Sequence, residues 1–127
     1  MANENTHTRT IEINDGFGKA IIADEVIAII AGLAASEVEG VASMAGNATR
    51  ELIEKLGVKS LSKGIKLQVE NDQVRVAMNV NLRYGYSVPD TSAEIQEKVK
   101  TAIETMTGLE VAEVNIKITN VVMDNDK

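Results

Sequence analysis

A chain of 127 residues and 13.6 kDa has room for one domain, and folding at that size buries roughly two-thirds of the unfolded surface, enough for a core without covalent staples. It contains no cysteine, which removes disulfide frameworks and thiolate chemistry and fits a reducing compartment. With 13 basic against 19 acidic residues, a net charge of −6 and only two Tyr and one Phe, it has neither a phosphate footprint nor a stacking platform for nucleic acid.

The N-terminal stretch from Met1 to His7 is polar and reads as a tail. It lacks the apolar segment of a signal peptide. A single domain is expected over residues 8–123, with 124–127 as a second tail. Thr8 to Asn14 alternates Ile11 and Ile13 with polar residues and predicts a short strand, broken at Asp15-Gly16-Phe17-Gly18. The Gly-Phe-Gly-Lys at 16–19 is no phosphate loop. That motif needs a glycine where Ile13 stands and a hydroxyl residue where Ala20 stands.

Asp24 to Val38 reads as a helix with two acids in its first turn. Ile22, Val26, Ile29, Ile30 and Leu33 form one stripe, while Ile27, Ala28, Ala31, Ala34 and Ala35 cover most of the rest. An all-round apolar helix is buried on several sides. Two readings follow: a core helix packed closely through its alanines, or an alanine face left partly open for self-association or a partner. The longest uncharged apolar run, Val26 to Ala35, is ten residues where a membrane span needs about twenty, so no direct membrane insertion is expected.

Val41 to Ala45 reads as extended, Asn47 as the cap of a short helix to Leu56, and Val58 to Gly64 as a loop. Ile65 to Val69 then alternates into Glu70-Asn71-Asp72-Gln73, a hairpin turn joining it to a long strand, Val74 to Leu82. That strand places Val74, Val76, Met78, Val80 and Leu82 on one face and Arg75, Ala77, Asn79, Asn81 and Arg83 on the other. After the turn Tyr84 to Pro89, a helix is predicted from Thr91 to Thr107, opened by the capping-box spacing Thr91 to Glu94 and closed by Gly108. Ile95, Val99, Ile103 and Met106 form its apolar stripe. A last strand, Val111 to Val122, turns Val114, Ile116 and Ile118 inward, and strand, helix, strand in this order implies a parallel crossover. The predicted fold is α+β: a two-layer domain with a small mixed β-sheet, hairpin plus crossover strand, covered by helices.

No catalytic, cofactor or metal constellation is found. The one histidine, His7, lies in the polar tail, so the usual acid-base residue has no scaffold. Asp24 with Glu25 and Glu37 with Glu39 are sequence neighbours that point in different directions. Asn47-Ala48-Thr49 reads as a helix cap, and Asp124-Asn125-Asp126 lacks the later ligands of a calcium loop. What remains is surface. Arg75, Asn79, Asn81 and Arg83 line the wet strand face, and Tyr84 and Tyr86 flank Gly85 at its end, which makes this corner the candidate protein contact. The plainer alternative is that the two rings only close the edge of the sheet.

Three stretches carry a resemblance: Tyr84-Gly85-Tyr86-Ser87-Val88-Pro89; Glu94 to Lys100; and Met106-Thr107-Gly108-Leu109-Glu110-Val111-Ala112-Glu113-Val114-Asn115-Ile116. With Ile22 to Ile27 and Glu37 to Met44 upstream, the chain resembles the alkaline shock protein family of Gram-positive bacteria from about Ile11 to Met123. The resemblance implies a non-enzymatic, cytoplasmic protein of cell-envelope homeostasis and stress. Besides a second copy of itself in a homo-oligomer, it implies one of two alternative partners, according to the branch of the family. One is a small membrane-anchored relative that holds the protein peripherally at the membrane; the other is a biosynthetic enzyme, acetyl-CoA carboxylase, through which fatty-acid synthesis is controlled. The family offers no catalytic residues to carry over.

Overall fold

The computed structural model describes residues 10–44 and 64–123. The expected tails, the helix predicted from Ala48 to Leu56, and the Asp124-Asn125-Asp126 motif lie outside the described residues.

The elements run β1 (Thr10–Asp15), β2 (Gly18–Ala23), α1 (Asp24–Ser36), β3 (Val41–Met44), β4 (Ile65–Glu70), β5 (Gln73–Arg83), α2 (Val88–Thr107) and β6 (Glu110–Val122). The architecture is the α+β arrangement expected. A four-stranded mixed sheet is built around β5, which pairs antiparallel with β3 and β4 and parallel with β6. Because β6 runs the length of β5, from Gln73↔Glu110 to Arg83↔Val122, β3 and β4 must share its other edge. They sit there end to end, Met44 opposite Val80 and Ile65 opposite Met78. In register terms they are one strand interrupted by a long excursion of the chain.

Alternation decides the layers. Val74, Val76, Met78, Val80 and Leu82 are buried, and with Ile95, Val99 and Ile103 of α2 and Ile27, Ala31 and Ala35 of α1 they form the core. β4 and β5 are joined by a two-residue turn in which Asn71 and Asp72 have φ of 52° and 66°, the left-handed pair of the hairpin turn whose twist matches its strands.

Four features differ from the expectations. First, Ile22 belongs to a second strand, β2, which pairs with β1 from Thr10↔Ala23 to Asp15↔Gly18; the Asp-Gly-Phe-Gly break is a hairpin turn. Second, the buried residues of α1 are Ile27, Ala28, Ile30, Ala31, Gly32, Ala34 and Ala35, so of the expected large-residue stripe Ile30 goes in, whereas Val26 and Leu33 are 46% and 41% exposed. Small side chains fit a densely packed interior beside Ile27 and Ile30, so hydrophobicity alone does not set which face goes in. The reading of an open alanine face is therefore wrong. Third, α2 begins at Val88, three residues before Thr91. Ser87 caps it, its hydroxyl accepting from the Asp90 amide at 3.3 Å, with Pro89 in the first turn, where a missing N–H costs nothing. Fourth, Met106 is 68% exposed and Thr107 is buried in its place, bonding the Ile103 carbonyl at 2.6 Å.

Candidate protein-contact site

Five of the six candidate residues lie along the second half of β5 and the turn after it, and one does not. Eight residues separate Arg75 from Arg83, roughly 26 Å at 3.3 Å each. Arg75 faces a shallow depression of about 300 Å³ with Lys66, Gln68, Ala77, Glu113 and Asn115, at the other end of the sheet. Asn79 lies midway, opposite Lys117. Asn81 accepts from the Thr119 hydroxyl at 3.1 Å, so its side chain is tied to β6. Arg83 donates its backbone N–H to the Gly40 carbonyl at 2.8 Å. The wet face is thus a strip of mixed charge, Lys66, Arg75, Arg83 and Lys117 among Glu70 and Glu113, on which no described element packs.

Tyr84 and Tyr86 lie in the turn between β5 and α2, at the end of the sheet where β6 also finishes. The Tyr84 amide donates to the Val122 carbonyl at 2.8 Å, and the Tyr86 amide to the Arg83 carbonyl at 3.4 Å. Their roles divide. Tyr86 lies on Gly40, where a Cβ would stand 2.7 Å from its Cδ2, so this ring does close the edge. Tyr84 is 67% exposed and makes no such closure. The structure adds exposed apolar residues that sequence reasoning passed over: Val121, Val122 and Met123 at the end of β6, where Val122 bonds Tyr84, and Val88 at the start of α2. The sequence signal was there. Val121, Val122 and Met123 are three consecutive apolar residues, and a strand with one dry face cannot bury all three.

The edge of β6 away from β5, which no described strand pairs, is partly guarded by α2. Glu104 accepts the Val111 amide at 3.0 Å and holds the Lys100 ammonium at 2.9 Å, while the Gln96 amide donates to the Val114 carbonyl at 3.0 Å. The Val111 N–H, and after it Lys100, lower the pKa of the Glu104 carboxyl by stabilising its charged form. No group of three metal-ligating side chains occurs among the described residues, and no described helix is long and apolar enough to cross a membrane.

The crossover sheet covered on one face by two helices defines a small α+β domain. Residues 12–123 match the alkaline shock protein 23 family, described as having a cell envelope-related function, and the chain belongs to that family. It is 36% identical to "Uncharacterized protein YqhY" of Bacillus subtilis over 124 residues, 98% of this chain and 85% of the relative. It is 32% identical to "Uncharacterized protein YloU" of the same organism, over 91% of this chain and 98% of the relative. A "Stress response regulator gls24 homolog" of Streptococcus pyogenes is 31% identical over 82% of this chain and 59% of its own length. Among solved structures, MamM-CTD 215-293 covers 76% of the chain with a TM-score of 0.47 and 13% identity, a likeness too distant to carry a functional argument.

Proposed function

We infer that this protein is a non-enzymatic scaffold of cell-envelope homeostasis and stress, acting through self-association and through a membrane-anchored protein partner. The observation that carries the reading is the corner at the end of the sheet, where Tyr84, Val88, Val121, Val122 and Met123 are exposed together. Exposed aromatic and apolar side chains on both faces of one sheet end are the composition of a contact patch. The family's cell envelope-related description supplies the setting, and the resemblance supplies the kind of partner, a small membrane-anchored relative.

The test is membrane co-sedimentation in cells. The full-length protein is expected in the membrane fraction, and the double variant Tyr84→Ser with Met123→Ser in the soluble fraction at unchanged melting temperature. Both side chains are exposed, so the fold does not depend on them; Tyr86 is left alone because Gly40 does. Retention of the double variant on membranes would remove this patch from the reading.

A further inference from the structure

The long edge of β6 that faces away from β5 carries a second surface. Its geometry follows from the register. The two-residue turn makes Glu70 and Gln73 the closing pair of the hairpin, so Gln73 and every second residue after it turn their backbone groups towards β4 and β3, and Val74, Val76, Met78 and Val80 turn theirs towards β6. Two bonds agree: Arg83 donates to Gly40 on the β3 side, and Tyr84 to Val122 on the β6 side. In a parallel ladder each residue bonds the two neighbours of its register partner. With Val76 opposite Val114 and Met78 opposite Ile116, the inward groups are those of Glu113, Asn115 and Lys117. Val114, Ile116 and Ile118 therefore turn their N–H and C=O groups outward.

The usable window is short. Ahead of it Glu104 occupies the Val111 amide, and behind it the register shifts between Ile118 and Asn120. Within it the wet face reads Glu113, Asn115, Lys117, with opposite charges equidistant from a central amide.

We propose that two copies of this chain pair antiparallel through β6, about a two-fold axis at Asn115, so that Glu113 of each lies opposite Lys117 of the other. This rests on the self-association inferred above and gives it a surface. Val114 faces Ile116 of the second copy and exchanges backbone bonds with it on both sides of the axis, and the Val114 carbonyl has a second lone pair beside the one that Gln96 uses. The neighbouring registers are poorer. Centring on Lys117 sets two ammonium groups against each other, and centring on Ile116 leaves Glu113 opposite Thr119 and Lys117 opposite Asn115. Opposite charges directly across strands stabilise the pairing and like charges oppose it. The axis lies well along the strand from Val121 to Met123, so the Tyr84 corners of both copies stay free for another partner.

The cysteine-free chain makes the test direct. Lys117→Glu alone and Glu113→Lys alone are each expected to weaken dimerisation about tenfold in sedimentation velocity, since two attractive pairs become repulsive, and the double swap is expected to restore it. Asn115→Cys should link to its own copy on mild oxidation, because facing residues of a non-bonded pair have Cα atoms about 4.5 Å apart, within disulfide reach; Thr119→Cys should not. A dimer indifferent to both swaps and not trapped by Asn115→Cys would overturn this surface and leave self-association standing. A strict monomer at all concentrations would sink both.

Discussion

The ring of Tyr86 lies on Gly40, so close that a Cβ at residue 40 would stand 2.7 Å from Cδ2 and 2.9 Å from Cγ. Gly40 also has a φ of +101°, which side-chain-bearing residues rarely adopt. Gly85, with φ +100°, shares the strain but has nothing within 4 Å of its missing Cβ. Gly85→Ala should therefore cost about 1 to 3 kcal/mol from backbone strain alone. Gly40→Ala should cost more, and should shift the Tyr86 ring resonances. Equal melting temperatures for the two variants would mean that the ring yields freely.

The stripe of α2 gives a sharper contrast. Ile103 is fully buried and Met106, three residues on, is 68% exposed. Ile103→Asp places an unpaired charge in the core at a cost of several kcal/mol, a large part of the 5 to 15 kcal/mol that holds a domain together. Met106→Asp should stay within about 0.5 kcal/mol of the parent. A chemical denaturation curve for each decides it; an unchanged midpoint for Ile103→Asp would refute the burial.

How much of this was legible in the sequence depends on what fixed each feature. The long strands were plain, because a period of two with a dry face cannot be read otherwise, and so were the parallel crossover and the Asn71-Asp72 turn. Helix ends were not. Thr91 and Glu94 have the spacing of a capping box, but Ser87 four residues earlier caps just as well, and Pro89 favours a helix that starts ahead of it. The buried side of α1 was hidden for another reason: hydrophobicity ranked Val26 and Leu33 above the alanines, yet the alanines go in with Ile27 and Ile30 while Val26 and Leu33 stay exposed. The contact corner was half legible. Tyr84 and Tyr86 stand out by rarity, but only the register of β6 brings Val121 to Met123 beside them.

Acid should weaken the fold through Glu104. The carboxyl is held charged by the Val111 amide and Lys100, so its pKa is lower in the folded chain than in the unfolded one. A group of this kind adds stability that is full above its unfolded pKa and is lost as pH falls through the folded value. Below the ordinary glutamate range, near pH 4, the parent should lose stability faster than Glu104→Gln, whereas near neutrality the variant should be the less stable of the two. Parallel stability curves from pH 7 to pH 3 would show that the Val111 bond does not depend on the charge.

The purified protein should not seek lipid. A net charge of −6 is repelled by anionic headgroups, and the exposed Val26 follows two acids, Asp24 and Glu25, at the start of α1. Mixed with anionic vesicles at low salt, it is expected in the supernatant. Sedimentation with protein-free vesicles would point instead to α1 as a membrane-seeking element.

The pairing of β5 also orders events in time. Its antiparallel neighbour β4 is reached through two residues, but its parallel neighbour β6 begins 37 residues further on, at Glu110 opposite Gln73. Closing that longer loop, which carries α2, costs chain entropy before any contact rewards it. The hairpin is thus the expected nucleus, present in the transition state, and β6 the strand that docks late. Substitutions in the Asn71-Asp72 turn should slow refolding, while those at Val114 should mainly quicken unfolding. Until it docks, the strand that carries Tyr84's apolar neighbours has no partner, and a newly made chain is at its most adhesive in that interval.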